Sequence, residues 1–124
     1  MTNLGRNYVL IGLVWLICGM AFGIWMGING QMNFANSHAH ANLVGFVASV
    51  LFGLLHVNFP SIGKSRIAGW QFIVYEVGAL LLVLGKAQVD AGGADMLVRV
   101  GALVTIIGAA MMLYMFYNKT RENT

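Results

Sequence analysis

Residues 8–28, YVLIGLVWLICGMAFGIWMGI, contain no charged side chain and decide the class of fold. The segment is long enough to cross a membrane as a helix, which takes about 20 apolar residues. Three further apolar stretches follow over residues 41–59, 67–87 and 96–117. Because backbone polar groups in lipid must be satisfied within the segment, and no alternating strand pattern is present, we predict an all-α membrane protein with four transmembrane helices.

The composition supports this class of fold. Of the 124 residues, 59% are hydrophobic and 9% are charged, and the mean hydropathy is +0.77. A soluble domain carries about 25% charged residues. The net charge of +3 is too small and too dispersed for nucleic-acid binding. We therefore expect one four-helix transmembrane domain over residues 1–124, with partners that come from the membrane.

The basic residues predict the orientation of the helices, because cytoplasmic loops are enriched in Lys and Arg. Five of them fall on one side of the predicted membrane, namely Arg6, Lys64, Arg66, Lys119 and Arg121. The other side has Lys86 and Arg99 beside two acids. Both termini are therefore expected in the cytoplasm of a bacterium, with the chain in the inner membrane.

Glycine spacing predicts close contacts between helices. Gly19, Gly23 and Gly27 form a double G-x-x-x-G row, a pattern typical of tightly packed membrane helices. Similar spacings recur as Gly45/Gly53, Gly78/Gly85 and Gly101/Gly108. Close packing within one chain explains these stripes. Self-association also explains them, since a small bundle cannot easily cover a stripe on every helix.

Two histidines, His38 and His40, lie one residue apart at the outer end of the second predicted span, where Ser37 is the predicted N-cap. Residues two apart on an α-helix are separated by about 200° around its axis, so the two rings cannot bind one metal ion from the same helix. Each ring is predicted to serve a separate site. His56 lies about 27 Å farther along the helix, near the cytoplasmic edge, where a structural role is expected.

Residues 37–46, SHAHANLVGF, resemble the H-x-H helix of subunit I of the haem-copper oxidase superfamily. In that family one histidine of the pair binds the low-spin haem and the other binds the high-spin haem. Subunit I has twelve helices in three four-helix arcs around a pseudo-threefold axis. The resemblance implies that this chain is similar to one arc and assembles into a twelve-helix homotrimer.

The resemblance also implies a cofactor, haem b, held between protomers by His38 of one chain and His40 of the next. Lys86 and Arg99 flank the loop that lies near the haem propionates in the family, and a role as surface anchors explains them equally well. There is no C-x-x-C-H motif for covalent attachment. The copper ligands of the family, an H-P-E-V-Y segment and an adjacent histidine pair, are also missing. We therefore expect electron transfer, redox sensing or haem handling, without oxygen reduction at a copper centre.

Glu76 lies near the middle of the third predicted span, beside Tyr75, and an acid at that depth is a functional candidate. It can bond a neighbouring helix or take up a proton linked to haem reduction. It also supports an alternative function, because small multidrug transporters have a similar length, four spans and a membrane-embedded glutamate. Their glutamate lies in the first helix, where this sequence has none. A third alternative, a structural helper subunit, explains the glycines but gives the histidines no role.

Overall fold

The computed structural model describes residues 3–121, which form four long helices with short connections. The helices are α1 (Asn3–Asn29), α2 (Met32–Asn58), α3 (Ala68–Asp90) and α4 (Met96–Thr120). Each is long and apolar enough to cross a membrane. The prediction of an all-helical, membrane-integral chain with four spans is thereby confirmed.

Short connections make consecutive helices antiparallel. Gly30 after α1 and Gly92 after α3 have φ angles of 64° and 93°, values that favour glycine. Between α2 and α3 the chain forms one short 3-10 segment, Pro60–Lys64. The histidine pair of α2 and the α3–α4 connection therefore lie at one end of the molecule, which we call the histidine end.

The four helices lie side by side largely in chain order. α2 packs against α1 over much of its length, and α3 and α4 share the most extensive contact of any pair. α2 meets α3 mainly at the histidine end, and α1 touches α3 at few positions. Since α4 has its main contact with α3, it lies at the outer edge of the group.

Glycine allows α3 and α4 to approach until their backbones touch. A Cβ atom on Gly101 would lie 2.3 Å from the backbone nitrogen of Leu82, and one on Gly85 would lie 2.4 Å from that of Val98. Real Cβ atoms essentially never come within 3.0 Å of another heavy atom. Both glycines are therefore required by this helix pair.

The glycines of α1 and α2 are used in the same way. Those that face the partner helix are Gly12, Gly19, Gly23, Gly45 and Gly53. Gly27, the last of the double G-x-x-x-G row, has nothing within 4 Å of its Cβ position. Packing within one chain thus accounts for almost the whole glycine pattern, Gly27 is left uncovered, and self-association stays a prediction.

α2 contains a π-helical segment, Ala41–Val47, that the sequence analysis did not predict. The buried stripe of the helix has a spacing of four residues and consists of Ser37, Ala41, Gly45, Ser49 and Gly53. In a regular α-helix this stripe would rotate by about 40° at each step, because a turn takes 3.6 residues. The wider π turn offsets that drift. It keeps the two serines on the inner face of α2.

The start of α2 also differs from the prediction. A 3-10 turn, Met32–Phe34, leads into α-helix at Ala35–His40, so the helix begins before the predicted start of the span at residue 41. The prediction that Ser37 is the N-cap is wrong. Ser37 lies inside the helix, where its backbone N–H donates to the carboxylate of Asp90 in α3. A side chain of α3 thus accepts a hydrogen bond from a backbone N–H near the start of α2.

Candidate functional site

One ring nitrogen of His40 forms a hydrogen bond, and the other has no hydrogen-bond partner among residues 3–121. Its Nδ1 lies 2.8 Å from the backbone oxygen of Asn36. Because a carbonyl oxygen can only accept a hydrogen bond, Nδ1 must carry the proton, and Nε2 of the neutral ring keeps its lone pair. Histidines that bind metals commonly have this arrangement, with a backbone carbonyl fixing the ring. His40 can therefore bind an iron atom through Nε2 without losing its hydrogen bond.

His40 is half-buried on a flank of α2. At the four-residue spacing of the buried stripe it is in line with Val44 and Ala48, which are also half-buried. The neighbouring stripe of α2 is exposed and includes Leu43, Val47 and Leu51, which are 63%, 38% and 54% exposed. A group bound at His40 would therefore lie at the margin of the single chain, beside a stripe that is open to lipid or a second copy.

His38 has different surroundings. Its ring lies beside Phe22 of α1, with ring centroids 6.3 Å apart. Its Nε2 is 2.8 Å from the position that a Cβ on Gly23 would take, whereas the ring carbon Cδ2 is 3.4 Å away. Nε2 is therefore the ring atom of His38 that points toward the α1 backbone at Gly23. The two histidines of the pair occupy separate environments, His38 between α1 and α2 and His40 on another half-buried flank of α2.

The donor set fits haem with one rearrangement. Two neutral imidazoles are suitable axial ligands for haem iron. A metal bound about 2 Å from a ring nitrogen would meet the α1 backbone at His38, so this ring must turn away from Gly23 to bind. His40 needs no such change. The chemistry of the pair therefore fits, and His38 is the member that must move.

A polar cluster holds the start of α2 against the end of α3. Asp90 Oδ2 accepts hydrogen bonds from Ser37 N at 3.0 Å and from Ser37 Oγ at 2.5 Å. Asp90 Oδ1 forms an ion pair with Lys86 at 2.8 Å, and Asn33 donates to the backbone oxygen of Asp90. Lys86, predicted to contact a haem propionate, already has a carboxylate partner.

Arg99, the second predicted propionate contact, is paired with Asp95 at 2.9 Å. This pair differs from Lys86–Asp90 in exposure. The side chain of Arg99 is 72% exposed, and that of Lys86 is 21% exposed. Arg99 can therefore turn toward an added anion more easily than Lys86 can.

Glu76 joins three helices. Its Oε2 accepts a hydrogen bond from Ser49 of α2 at 2.6 Å, and its Oε1 accepts one from the indole of Trp15 of α1 at 3.2 Å. The residue is 8% exposed. Both donors are neutral. The expected bond between this acid and a neighbouring helix is thus present, and it is made to two helices.

A groove runs between α1 and α3 beside Glu76. It has a volume of about 470 Å³, and its other lining residues are Ile11, Val14, Trp15, Cys18, Val77 and Leu80. A second cavity of about 210 Å³ shares Trp15 and Cys18 with it and extends to Ser37 and Ala87, toward the histidine end. The groove is almost entirely apolar, and Glu76 is the acidic residue in its lining.

His56 forms a buried cluster that the sequence analysis missed. It lies in the last turns of α2 as predicted, yet it is fully buried, and neither ring nitrogen has a hydrogen-bond partner within residues 3–121. Its ring stacks on Tyr8, whose hydroxyl donates to Gln71. The sequence carried no signal for this contact, because it depends on how α1 and α2 are rotated against each other. Tyr8 precedes Trp15 by seven residues and His56 follows Ser49 by seven, so two helical turns separate this cluster from Glu76.

Within the described residues, no group of three or more His, Cys, Asp or Glu side chains could hold a metal ion. No protein-family model, curated protein or solved structure matches the chain.

Proposed function

We propose that this chain is an integral membrane cytochrome of the b type, with haem b bound by two histidines at the contacts between protomers of a homotrimer. The observation that carries the proposal is the hydrogen bond from His40 Nδ1 to Asn36. It leaves Nε2 without a partner among residues 3–121, on a half-buried flank of α2 beside the exposed apolar stripe. An unpaired imidazole nitrogen at the rim of a membrane span is costly unless something binds it.

The divergence of the two histidines supports the proposed trimer. His38 lies between α1 and α2, and His40 lies on a different, half-buried flank of α2. A haem bound at His40 needs its second ligand from another copy, and His38 of the neighbouring chain is the proposed partner once its ring turns from Gly23. Three chains with one such pair at each contact close a ring.

The bound haem would supply reversible one-electron chemistry. With both axial positions filled by histidine, no position is open for oxygen, and the sequence lacks the copper ligands of the oxidases. We therefore propose electron transfer between membrane partners, or the related tasks of redox sensing and haem handling. The Asn36 carbonyl orients His40, and Arg99 is the better of the two propionate contacts because its side chain is 72% exposed.

The distribution of basic residues supports a proposed orientation of the chain in the membrane. Lys64 and Arg66 lie at the end opposite the histidines, together with the start of α1 and the end of α4. We propose that this end faces the cytoplasm of a bacterium and that the histidine end faces outward across the inner membrane.

Native mass spectrometry of the detergent-solubilised protein tests the proposed assembly. We expect a species of three chains with three haems, since each contact between protomers contributes one His38 and one His40. A strictly monomeric protein would contradict it, because each haem would then lack an assigned second ligand.

A proton-coupled carrier that uses Glu76 is the second candidate function. The observation that favours it is the apolar groove, which reaches a buried carboxyl group between α1 and α3. Ligand sites are commonly cavities of about 300–1,000 Å³ with apolar walls and few polar groups. The acid lies in the third helix, which separates this chain from the transporters considered above.

Replacing Glu76 by glutamine separates the two functions. Glutamine keeps the shape, and Ser49 can reverse its hydroxyl to accept from the new amide, so the fold is expected to survive. As a cytochrome, the Glu76→Gln protein is expected to keep its haem spectrum and to lose any proton uptake linked to haem reduction. The measurement is a redox titration with a pH-sensitive dye, and Trp15→Phe, which keeps the acid, is the control.

The carrier would be the correct function if Glu76→Gln abolished uptake of a lipophilic cation into proteoliposomes under a pH gradient. In that case variants of His38 and His40 would transport as the wild type does. Their normal transport would contradict the cytochrome.

A further inference from the structure

Asp90, the last residue of α3, fixes the turn of α2 that carries both histidines. One carboxylate oxygen accepts from the backbone N–H and from the hydroxyl of Ser37, the residue immediately before His38. The backbone oxygen of Asp90 accepts from Asn33, one turn earlier. Three hydrogen bonds thus join a single residue of α3 to the first turns of α2.

The position of these bonds makes the contact strong. Ser37 is the third residue of its α-helical segment, and N–H groups in the first turn have no acceptor within the helix. A carboxylate there is favoured by the helix dipole, and hydrogen bonds to a charged acceptor are stronger than neutral ones. Ser37 is fully buried and the side chain of Asp90 is 9% exposed, so water competes little.

Lys86 is the remaining member of the cluster. No hydrogen bond between Lys86 and α2 is among those described for residues 3–121. Lys86 pairs with the other carboxylate oxygen of Asp90 at 2.8 Å. This pairing offsets the cost of burying the Asp90 charge, which is large for an unpaired ion. One oxygen of Asp90 therefore serves the histidine turn, and the other serves charge balance within α3.

We propose that Asp90 is a positioning residue for the haem ligands. By fixing the rotation and height of residues 37–40, it holds His38 and His40 on opposite flanks of α2 at the angles that adjoining protomers need. The role rests on the proposed haem function. It assigns to Asp90 and Lys86 a task different from the propionate contact expected of Lys86.

The chain supplies a matched control. Asp95 pairs with Arg99 at the same four-residue spacing as Lys86 and Asp90, and at the same end of the molecule. The Asp95 side chain is 58% exposed, and its side-chain hydrogen bond is made to Arg99, one turn later. Asp95→Ala therefore controls for loss of a carboxylate at this end of the molecule, whereas loss of the contact with Ser37 is specific to Asp90.

The test compares Asp90→Ala, Asp90→Asn and Asp95→Ala in the full-length protein, using haem titration and amide hydrogen exchange of haem-free protein. Asp90→Ala is expected to weaken haem binding about tenfold, as changes behind metal ligands commonly do. It is also expected to speed exchange at Ser37. Asp90→Asn should recover most of the affinity, because its amide oxygen can still accept from Ser37 while Lys86 turns to solvent. Asp95→Ala should keep the wild-type exchange at Ser37 and should not weaken haem binding, because it releases Arg99, the proposed propionate contact.

Equal haem affinity and equal Ser37 exchange in Asp90→Ala and Asp95→Ala would overturn the positioning role while the haem function stands. A wild-type protein that binds no haem would remove the function and the role together. If Asp90→Ala does not fold, Ser37→Ala is measured in its place. It removes only the hydroxyl donor, and an unchanged haem affinity together with unchanged exchange around residue 37 would then overturn the proposal.

Discussion

Replacing either His38 or His40 by alanine is expected to abolish the six-coordinate haem spectrum of this protein. Each proposed haem takes one ligand from each position, so the two single variants should lose it to the same extent. The measurement is the absorption spectrum of oxidised and reduced protein purified from haem-replete cells. Loss with only one of the two variants would contradict the shared site between protomers.

His56→Phe is the control for these variants, because it removes the third histidine and keeps a ring against Tyr8. Both nitrogens of His56 are buried without a partner in the described structure, and an unpartnered buried polar group costs about 1–3 kcal/mol. We expect the haem spectrum of His56→Phe to be unchanged and its stability to be equal or higher. A lost spectrum would show that the haem depends on the buried cluster.

Gly101→Ala is expected to lower the free energy of unfolding by about 3 kcal/mol, at the upper end of the range for overpacked cores. The added Cβ would meet backbone atoms of Leu81 and Leu82, which cannot move aside as a side chain can. α3 and α4 would have to separate along their whole contact. Thermal or denaturant unfolding in detergent, followed by circular dichroism, measures the loss.

Gly27→Ala makes the same chemical change where the Cβ position has nothing within 4 Å. It should be neutral or slightly stabilising, since alanine is favoured over glycine inside helices by roughly 0.5–1 kcal/mol. Equal stabilities for the two variants would contradict the close approach of α3 and α4. A change of oligomeric state in Gly27→Ala alone would show that this glycine faces another copy.

The four helices could be predicted because lipid imposes a simple requirement on each segment. A stretch long enough to span the membrane must satisfy its own backbone, so its length and apolar character are sufficient evidence. Contacts between helices depend on how each helix is rotated. The pairing of Glu76 with Trp15 and Ser49 joins residues far apart in sequence, and the rotation that unites them depends partly on an unpredicted π segment.

In the histidine region, too, one feature could be predicted from the sequence and another could not. The divergence of His38 and His40 follows from helix geometry alone, and the structure gives them separate surroundings. The contact between Asp90 and Ser37 had no signal in the sequence around the histidines, because a serine at that point resembles an N-cap in its own right. In the structure a 3-10 turn and the first α-helical residues precede Ser37. The end of α3 supplies the acceptor for the backbone N–H of Ser37.

The absorption spectrum of the wild-type protein tests the central proposal most directly. Protein purified from haem-replete cells is expected to be coloured, with a sharp Soret band and, after reduction, the resolved α and β bands of six-coordinate haem. Colourless protein from the same cells would contradict the assignment of this chain as a b-type cytochrome.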